Sequence, residues 1–293
     1  MAGKKDKGSE HLLLFRTPRA DPALPRIASL VPSLTELVAA LGLGERLVAR
    51  TGYCIHPAGL VAGVPKVGGT KTVNLAKLRR LAPTHVLVNV DENRRETVEA
   101  IRAWGATAPE IVVTHPFGPE DNLALVDQLA GAFDGVPGVA ARAATLKAEL
   151  ARELVATRPE GRPAVRVLYL IWHGPWMTVA RDTYISRLLG RVGWQTWPAA
   201  DGGPTGAARY PALAGDEPWL ATVERALLSS EPFAFEERHV AEAAALCPNA
   251  RVDRVDGELL GWYGARAVAG LAYVRALADD NGAGRAASRP QPR

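Results

Sequence analysis

Cysteine is nearly absent from this chain: Cys54 and Cys247 are the only two in 293 residues. A disulfide framework or a Cys-rich zinc site needs more thiols at closer spacing, so both are excluded, and each thiol reads as a buried one. Long apolar runs are also missing, which excludes a membrane-spanning helix. The stretch before Arg16 lacks the apolar core of about 7–15 residues and the small-residue cleavage site of a secretory signal. As written, a cytoplasmic chain without membrane insertion is expected; a displaced start codon would make it periplasmic instead. No basic run is interleaved with aromatics, so no nucleic-acid partner is expected. The net charge of +4 rests partly on terminal residues, Lys4, Lys5 and Lys7 at one end and Arg285, Arg289 and Arg293 at the other, and reads as solvated surface. There is no P-loop, no G-x-G-x-x-G and no His-Glu-x-x-His, and Ser229-Ser230 is not a nucleophile elbow. Catalysis is not indicated, and the chain is expected not to be an enzyme.

What the chain does have is rhythm. Strand patterns at 26–31, 46–53, 64–67, 85–90 and 110–114 alternate with helical ones at 33–41, 74–81, 92–104 and 120–133. Ser33 with Glu36 forms a capping-box pattern, and Asn74 is placed to cap the next helix. Between Pro137 and Arg158 the apolar residues Val139, Ala143, Leu146, Leu150 and Leu154 recur every three or four positions, one stripe on one helical face. Such a helix is roughly 30 Å long. It reads either as a stiff join between two halves or as a surface helix of one larger domain. The rhythm then restarts, with strands at 165–172, 176–181, 225–229 and 251–255 and helices at 184–192, 237–246 and 262–278. Alternation of this kind implies parallel sheets covered on both faces. The expected fold is therefore α/β: two Rossmann-like lobes joined by one long backbone helix. The boundaries are a flexible arm over 1–24, a first lobe over 25–135, the helix over 136–160, a second lobe over 161–279 and a disordered tail over 280–293.

Aromatics make up only 6% of the chain, yet Tyr169, Trp172 and Trp176 crowd one strand end. Tyr53, Tyr210, Trp262 and Tyr263 sit beside other strand ends or loops. Open parallel sheets bind ligands at the carboxyl ends of their strands, so these rings could line a cleft for a large, flat, partly apolar ligand. Packing into the lobe cores is the alternative. Cys54 and His56, two apart in a loop, could touch a metal, although structural zinc wants four ligands. His115 and His173 also stand at strand ends, His85 reads as structural, and His11 and His239 as exposed. Gly68-Gly69-Thr70-Lys71 reads as a tight turn rather than a phosphate cradle.

Several runs in fixed order carry a family resemblance: Arg26-Ile-Ala-Ser-Leu-Val-Pro-Ser-Leu-Thr-Glu-Leu37, Thr51-Gly-Tyr-Cys-Ile-His-Pro57, Pro65-Lys-Val-Gly-Gly-Thr-Lys71, Tyr169-Leu-Ile-Trp172, Arg181-Asp-Thr-Tyr-Ile185, Leu228-Ser-Ser-Glu-Pro232 and Trp262-Tyr-Gly264. Across residues 26–278 the chain resembles the cobalamin, haem and iron-siderophore class of substrate-binding proteins, the helical backbone metal receptors, and within them the cobalamin-binding branch. The resemblance implies a monomeric, non-enzymatic receptor. It would hold a corrinoid or related metal chelate between its lobes, as a ligand and not a catalytic cofactor, and deliver it to an ABC-transporter permease. By motif position the ligand-binding residues would be Pro32, Ser33, Tyr53, Trp172, Trp176, Tyr210, Trp262 and Arg266. Docking carboxylates would be Glu92 or Glu96 on one lobe and Asp216 or Glu217 on the other. If the ligand is a corrinoid, His56, two residues from Cys54 in the loop after the second strand, could displace an axial water on its metal, and Cys54 is the other candidate to touch it. Thr70 and Tyr210 stand where cobalamin binders often have Trp. A cytoplasmic protein that buffers or senses a corrinoid is the rival to the transport reading.

Overall fold

The computed structural model describes residues 24–286. The expected arm lies outside the described residues except for residue 24, and so does the tail beyond 286. Four parallel strands, β1 (Ile27–Ser29), β2 (Leu47–Arg50), β3 (His85–Asn89) and β4 (Glu110–Thr114), pair in the order β2-β1-β3-β4. Helices α1 (Pro32–Ala40), α2 (Ala58–Val61), α3 (Leu75–Arg80), α4 (Arg95–Arg102) and α5 (Asp121–Ala132) connect and cover them. After α6 (Val139–Ala156) a second sheet repeats the pattern: β5 (Val165–Leu170), β6 (Trp194–Thr196), β7 (Arg225–Ser229) and β8 (Arg251–Val255), ordered β6-β5-β7-β8. Its helices are α7 (Tyr184–Gly190), α8 (Glu237–Leu246), α9 (Gly257–Gly261) and α10 (Ala267–Ala286). The fold is α/β, with two parallel sheets joined by one long helix.

The buried residues of α6 are Val139, Ala143, Leu146, Leu150 and Leu154, the five positions of the apolar stripe. They enter one continuous core with Leu125 and Leu129 of α5 and Leu271 and Val274 of α10. The carboxyl end of α6 is closed from the second lobe. Arg191 donates to the Thr157 carbonyl at 2.9 Å and to the Leu154 carbonyl, while its other nitrogen meets Glu120 of the first lobe at 2.7 Å. A cation at a helix carboxyl end is favoured by the helix dipole, and here it also ties the two lobes to the helix.

A second staple forms at Asn122. Its side-chain amide donates to Tyr184 Oη at 3.0 Å, and its oxygen accepts from Gly264 N at 2.6 Å. Gly264 has φ +76°, and a Cβ there would lie 3.3 Å from Leu37 Cβ. Left-handed backbone combined with close approach to α1 calls for glycine. Gly264→Ala is expected to lower unfolding free energy by about 1–2 kcal/mol, read as a drop in thermal midpoint.

Several local expectations are corrected. Residues 176–181 form no strand; Met177 makes only isolated bridges to Trp172 and Ala212. The pattern at 64–67 likewise yields a single bridge, Arg50 to Lys66. No side chain caps α1, because the helix starts at Pro32 with Val31 as its N-cap and Ser33 already lies inside it; Glu36 is turned to Arg266. The Asn74 cap is present, accepting from Lys77 N at 2.9 Å. The last helix runs to Ala286, so the start of the segment expected to be disordered is helical.

Candidate functional site

In each sheet the strand order reverses between the first and third strands, which is where open parallel sheets take ligands. Leaving β1, the chain enters α1 at Pro32-Ser33; leaving β3, it gives Asp91 and Glu92. Leaving β5, it gives Trp172 and His173; leaving β7, Ser230 and Glu231. Side chains from these segments meet at the lobe junction. Tyr263 Oη donates to Glu92 Oε1 at 2.8 Å, and Trp262 Nε1 donates to Glu231 Oε1 at 2.6 Å. Burial pushes the Glu92 carboxyl up to about 7 against the Tyr263 hydrogen bond, and the nearby Glu231 carboxylate adds to the rise. Burial likewise takes Glu231 to about 6, with Glu258 and Asp256 adding to it.

Two arginines at the junction are committed to carboxylates. Arg266 forks onto both oxygens of Glu36 and reaches Glu258, with its guanidinium 4.7 Å over the Trp262 ring. Arg209, only 1% exposed, reaches across to Asp91 Oδ2 at 3.1 Å and donates to the Gly203 carbonyl at 2.8 Å. Its Cζ lies 5.6 Å over Phe117. Lys71 donates to the Asp91 carbonyl at 2.6 Å. Arg209 Nε and His115 Nε2 are buried without a hydrogen-bond partner among the described residues. His115 Nε2 lies 3.4 Å from Asp91 Oδ2, but no hydrogen bond forms between them.

The expected site residues separate into groups. Trp262, Arg266 and His56 come together: His56 stands edge-on to Trp262 at 5.7 Å and its Nε2 is 3.1 Å from Glu258. Trp172 and Trp176 belong to an aromatic wall on the second lobe, with Trp172 5.5 Å from Phe233 and Trp176 stacked on Phe235. Tyr210 follows Arg209; burial and the Asp91 charge push its phenol up to about 12. Tyr53 and Trp172 are the open rings, at 64% and 41% exposure. Pro32 and Ser33 are buried in the first turn of α1.

Three expectations need correction. Cys54 and His56 do not form a metal pair, since the Cys54 thiol is buried against Thr51 and Ser29 while His56 turns to Glu258. Glu92 faces inward to Tyr263 and Glu217 closes its own loop through the Ala214 and Gly215 amides, which leaves Glu96 and Asp216 as the exposed acids of the docking set. His239 is buried, not exposed. Gly68 to Lys71 is a tight turn, with Gly69 and Thr72 exchanging backbone bonds. Asp91, Arg209 and Glu231 are junction residues absent from the expected site set, although Glu231 lies within the Leu228–Pro232 run; Asp91 and Glu231 could be found as the charges that follow β3 and β7.

A family model described as periplasmic binding protein matches residues 27–218. Over 97 residues the chain is 31% identical to a curated vitamin B12-binding protein of Vibrio vulnificus (strain YJ016), a stretch that is 33% of this chain and 35% of the relative. The match thus spans about a third of that relative's length. The solved periplasmic vitamin B12-binding protein BtuF of Vibrio cholerae superposes with TM-score 0.71 at 19% identity, covering 87% of this chain and 97% of that one. The periplasmic heme-binding protein RhuT of Roseiflexus sp. RS-1 superposes with TM-score 0.69 at 22% identity, covering 87% and 98%. At these identities the likeness to the solved structures is one of fold.

Proposed function

The chain belongs to the periplasmic binding protein family, whose model it matches over residues 27–218, and from that premise we propose that it binds a corrinoid, a cobalamin-like metal chelate, between its lobes and delivers it to the permease of an ABC-type importer. The observation that carries the choice of ligand is the acidic lining of the junction. Burial holds Glu92 half-neutral near pH 7 and raises Glu231 to about 6, where it is mostly ionised, while Arg209 and Arg266 are already paired with carboxylates. A corrinoid presents uncharged amides at its rim, which such carboxyls can bond. The carboxylates of a haem would meet the like charge of these groups, with both arginines already engaged. The partial likeness to a vitamin B12-binding protein supports the same choice.

Tyr53 and Trp172 supply exposed ring faces for the macrocycle, and Trp176 and Tyr210 extend the wall. We place the protein outside the cytoplasmic membrane, in line with the family description. The rival cytoplasmic placement rests on residues outside the described ones. No described helix is long and apolar enough to cross a membrane. Exposed Glu96 on α4 and Asp216 on the second lobe are the acids we assign to permease docking.

Calorimetry with cyanocobalamin, haem and a ferric chelate tests the reading: the corrinoid is expected to bind one per chain, at least tenfold more tightly than haem. Preference for haem would overturn the ligand assignment, and no binding of any of the three would overturn the receptor reading. Trp172→Ala is expected to weaken corrinoid binding by about 1–2 kcal/mol, the lower part of the range for an aromatic contact because the ring is already half-packed on Phe233.

A further inference from the structure

Beside the aromatic wall, on the flank of the second lobe, lies a cluster that the binding of a chelate does not use. We propose that His173, His239 and Glu242 form a site for a divalent transition-metal ion of the zinc class. His239 and Glu242 stand three residues apart on α8, so both side chains project from one face, and His173 comes to them from the loop after β5. One ligand atom from each lies within 4.8 Å of the others. His173 Nε2 is 2.8 Å from Glu242 Oε2, and the two imidazole rings are 4.9 Å apart.

The donor set selects the ion. Two imidazoles and one carboxylate suit zinc, cobalt or nickel, whereas magnesium and calcium want oxygen. His239 is 1% exposed and walled by Phe233 and Phe235, so one ligand is fixed in advance. Glu242 is exposed and His173 half-buried, which leaves the open side for a water as fourth ligand.

Uptake has a definite structural consequence. His239 Nδ1 accepts the Glu236 N–H at 2.8 Å, as one half of the capping box of α8. An ion on Nδ1 displaces that bond directly; an ion on Nε2 requires the ring proton to sit on Nδ1. Either way the Glu236 amide loses its acceptor. The ion also anchors the loop of Trp172 and Trp176 to α8, since His173 follows Trp172 and its ring is 4.5 Å from Trp176.

The test uses the full chain after chelator treatment and dialysis, with Co2+ followed by visible absorbance and Zn2+ by calorimetry. One ion per chain is expected, with the intense absorption bands of four-coordinate cobalt. His173→Ala and Glu242→Ala should each weaken binding at least tenfold, with circular dichroism confirming that both fold. Amide exchange at Glu236 should accelerate when Zn2+ is added. Binding unchanged in both variants would mean an adventitious ion only and would overturn the proposal, as would no binding at millimolar ion. No corrinoid enters any of these readouts, so a chain that binds zinc and no corrinoid upholds this site and sinks the corrinoid assignment alone.

Discussion

Arg209→Ala is expected to lower unfolding free energy by about 3 kcal/mol, the low end of the cost of breaking a buried ion pair. The guanidinium is enclosed, bonded to Asp91 from the opposite lobe and to the Gly203 carbonyl, with Asp182 Oδ2 at 3.9 Å. Truncation leaves Asp91, itself largely covered, with His115 at 3.4 Å and the Lys71 ammonium on its backbone carbonyl as ionic neighbours. It also removes the packing of the guanidinium on Phe117. Lysine should not rescue, because an ammonium cannot reach Asp91 and Gly203 from one planar fork. Asp91→Asn combined with Arg209→Met should cost less than the two single changes added together, since no charge is then left unmatched. Urea denaturation of the wild type and the five variants measures these differences. A loss below about 1 kcal/mol for Arg209→Ala, within the range of a solvated pair, would show that the bridge does not hold the lobes.

The same residue shows where reading from sequence stops. Periodicity is a local property, so the stripe of α6 and the segments 110–114, 225–229, 237–246 and 251–255 are legible to the residue. β6 is only three residues long and follows Gly193 directly, too short to show an alternation. Residues 176–181 have strand composition but lie where no neighbouring strand offers a ladder. Glu36 fits a local capping rule, yet its partner Arg266 is 230 residues away. Asp91 and Arg209 are 118 apart. Aromatic rings announce a binding surface by their own chemistry, which is why Trp172, Trp176 and Tyr53 could be picked out. A charged residue announces nothing until its partner is known, and the partners here come from the other lobe.

Glu92→Gln is expected to stabilise the protein by up to about 3 kcal/mol at pH 8 and to change nothing at pH 4.5. The ordinary carboxyl value of 4.5 applies in the unfolded chain, while burial raises the folded value to about 7. The folded state therefore holds the proton more tightly. Its stabilising effect is complete below pH 4.5, fades as pH rises and is lost above about 7. Two and a half units at about 1.4 kcal/mol each give the magnitude. Glutamine keeps an oxygen for the Tyr263 hydroxyl and carries no charge to desolvate. Wild type should lose thermal midpoint between pH 4.5 and 8 and the variant should lose less. Glu231, raised to about 6, accounts for part of the slope that remains. Parallel melting profiles for the two proteins would show that Glu92 is ionised at no cost and would remove the half-neutral carboxyl from the ligand argument. If the profiles diverge as expected, the chain keeps a glutamate where glutamine would be more stable, and a cost of that size points to a group retained for binding.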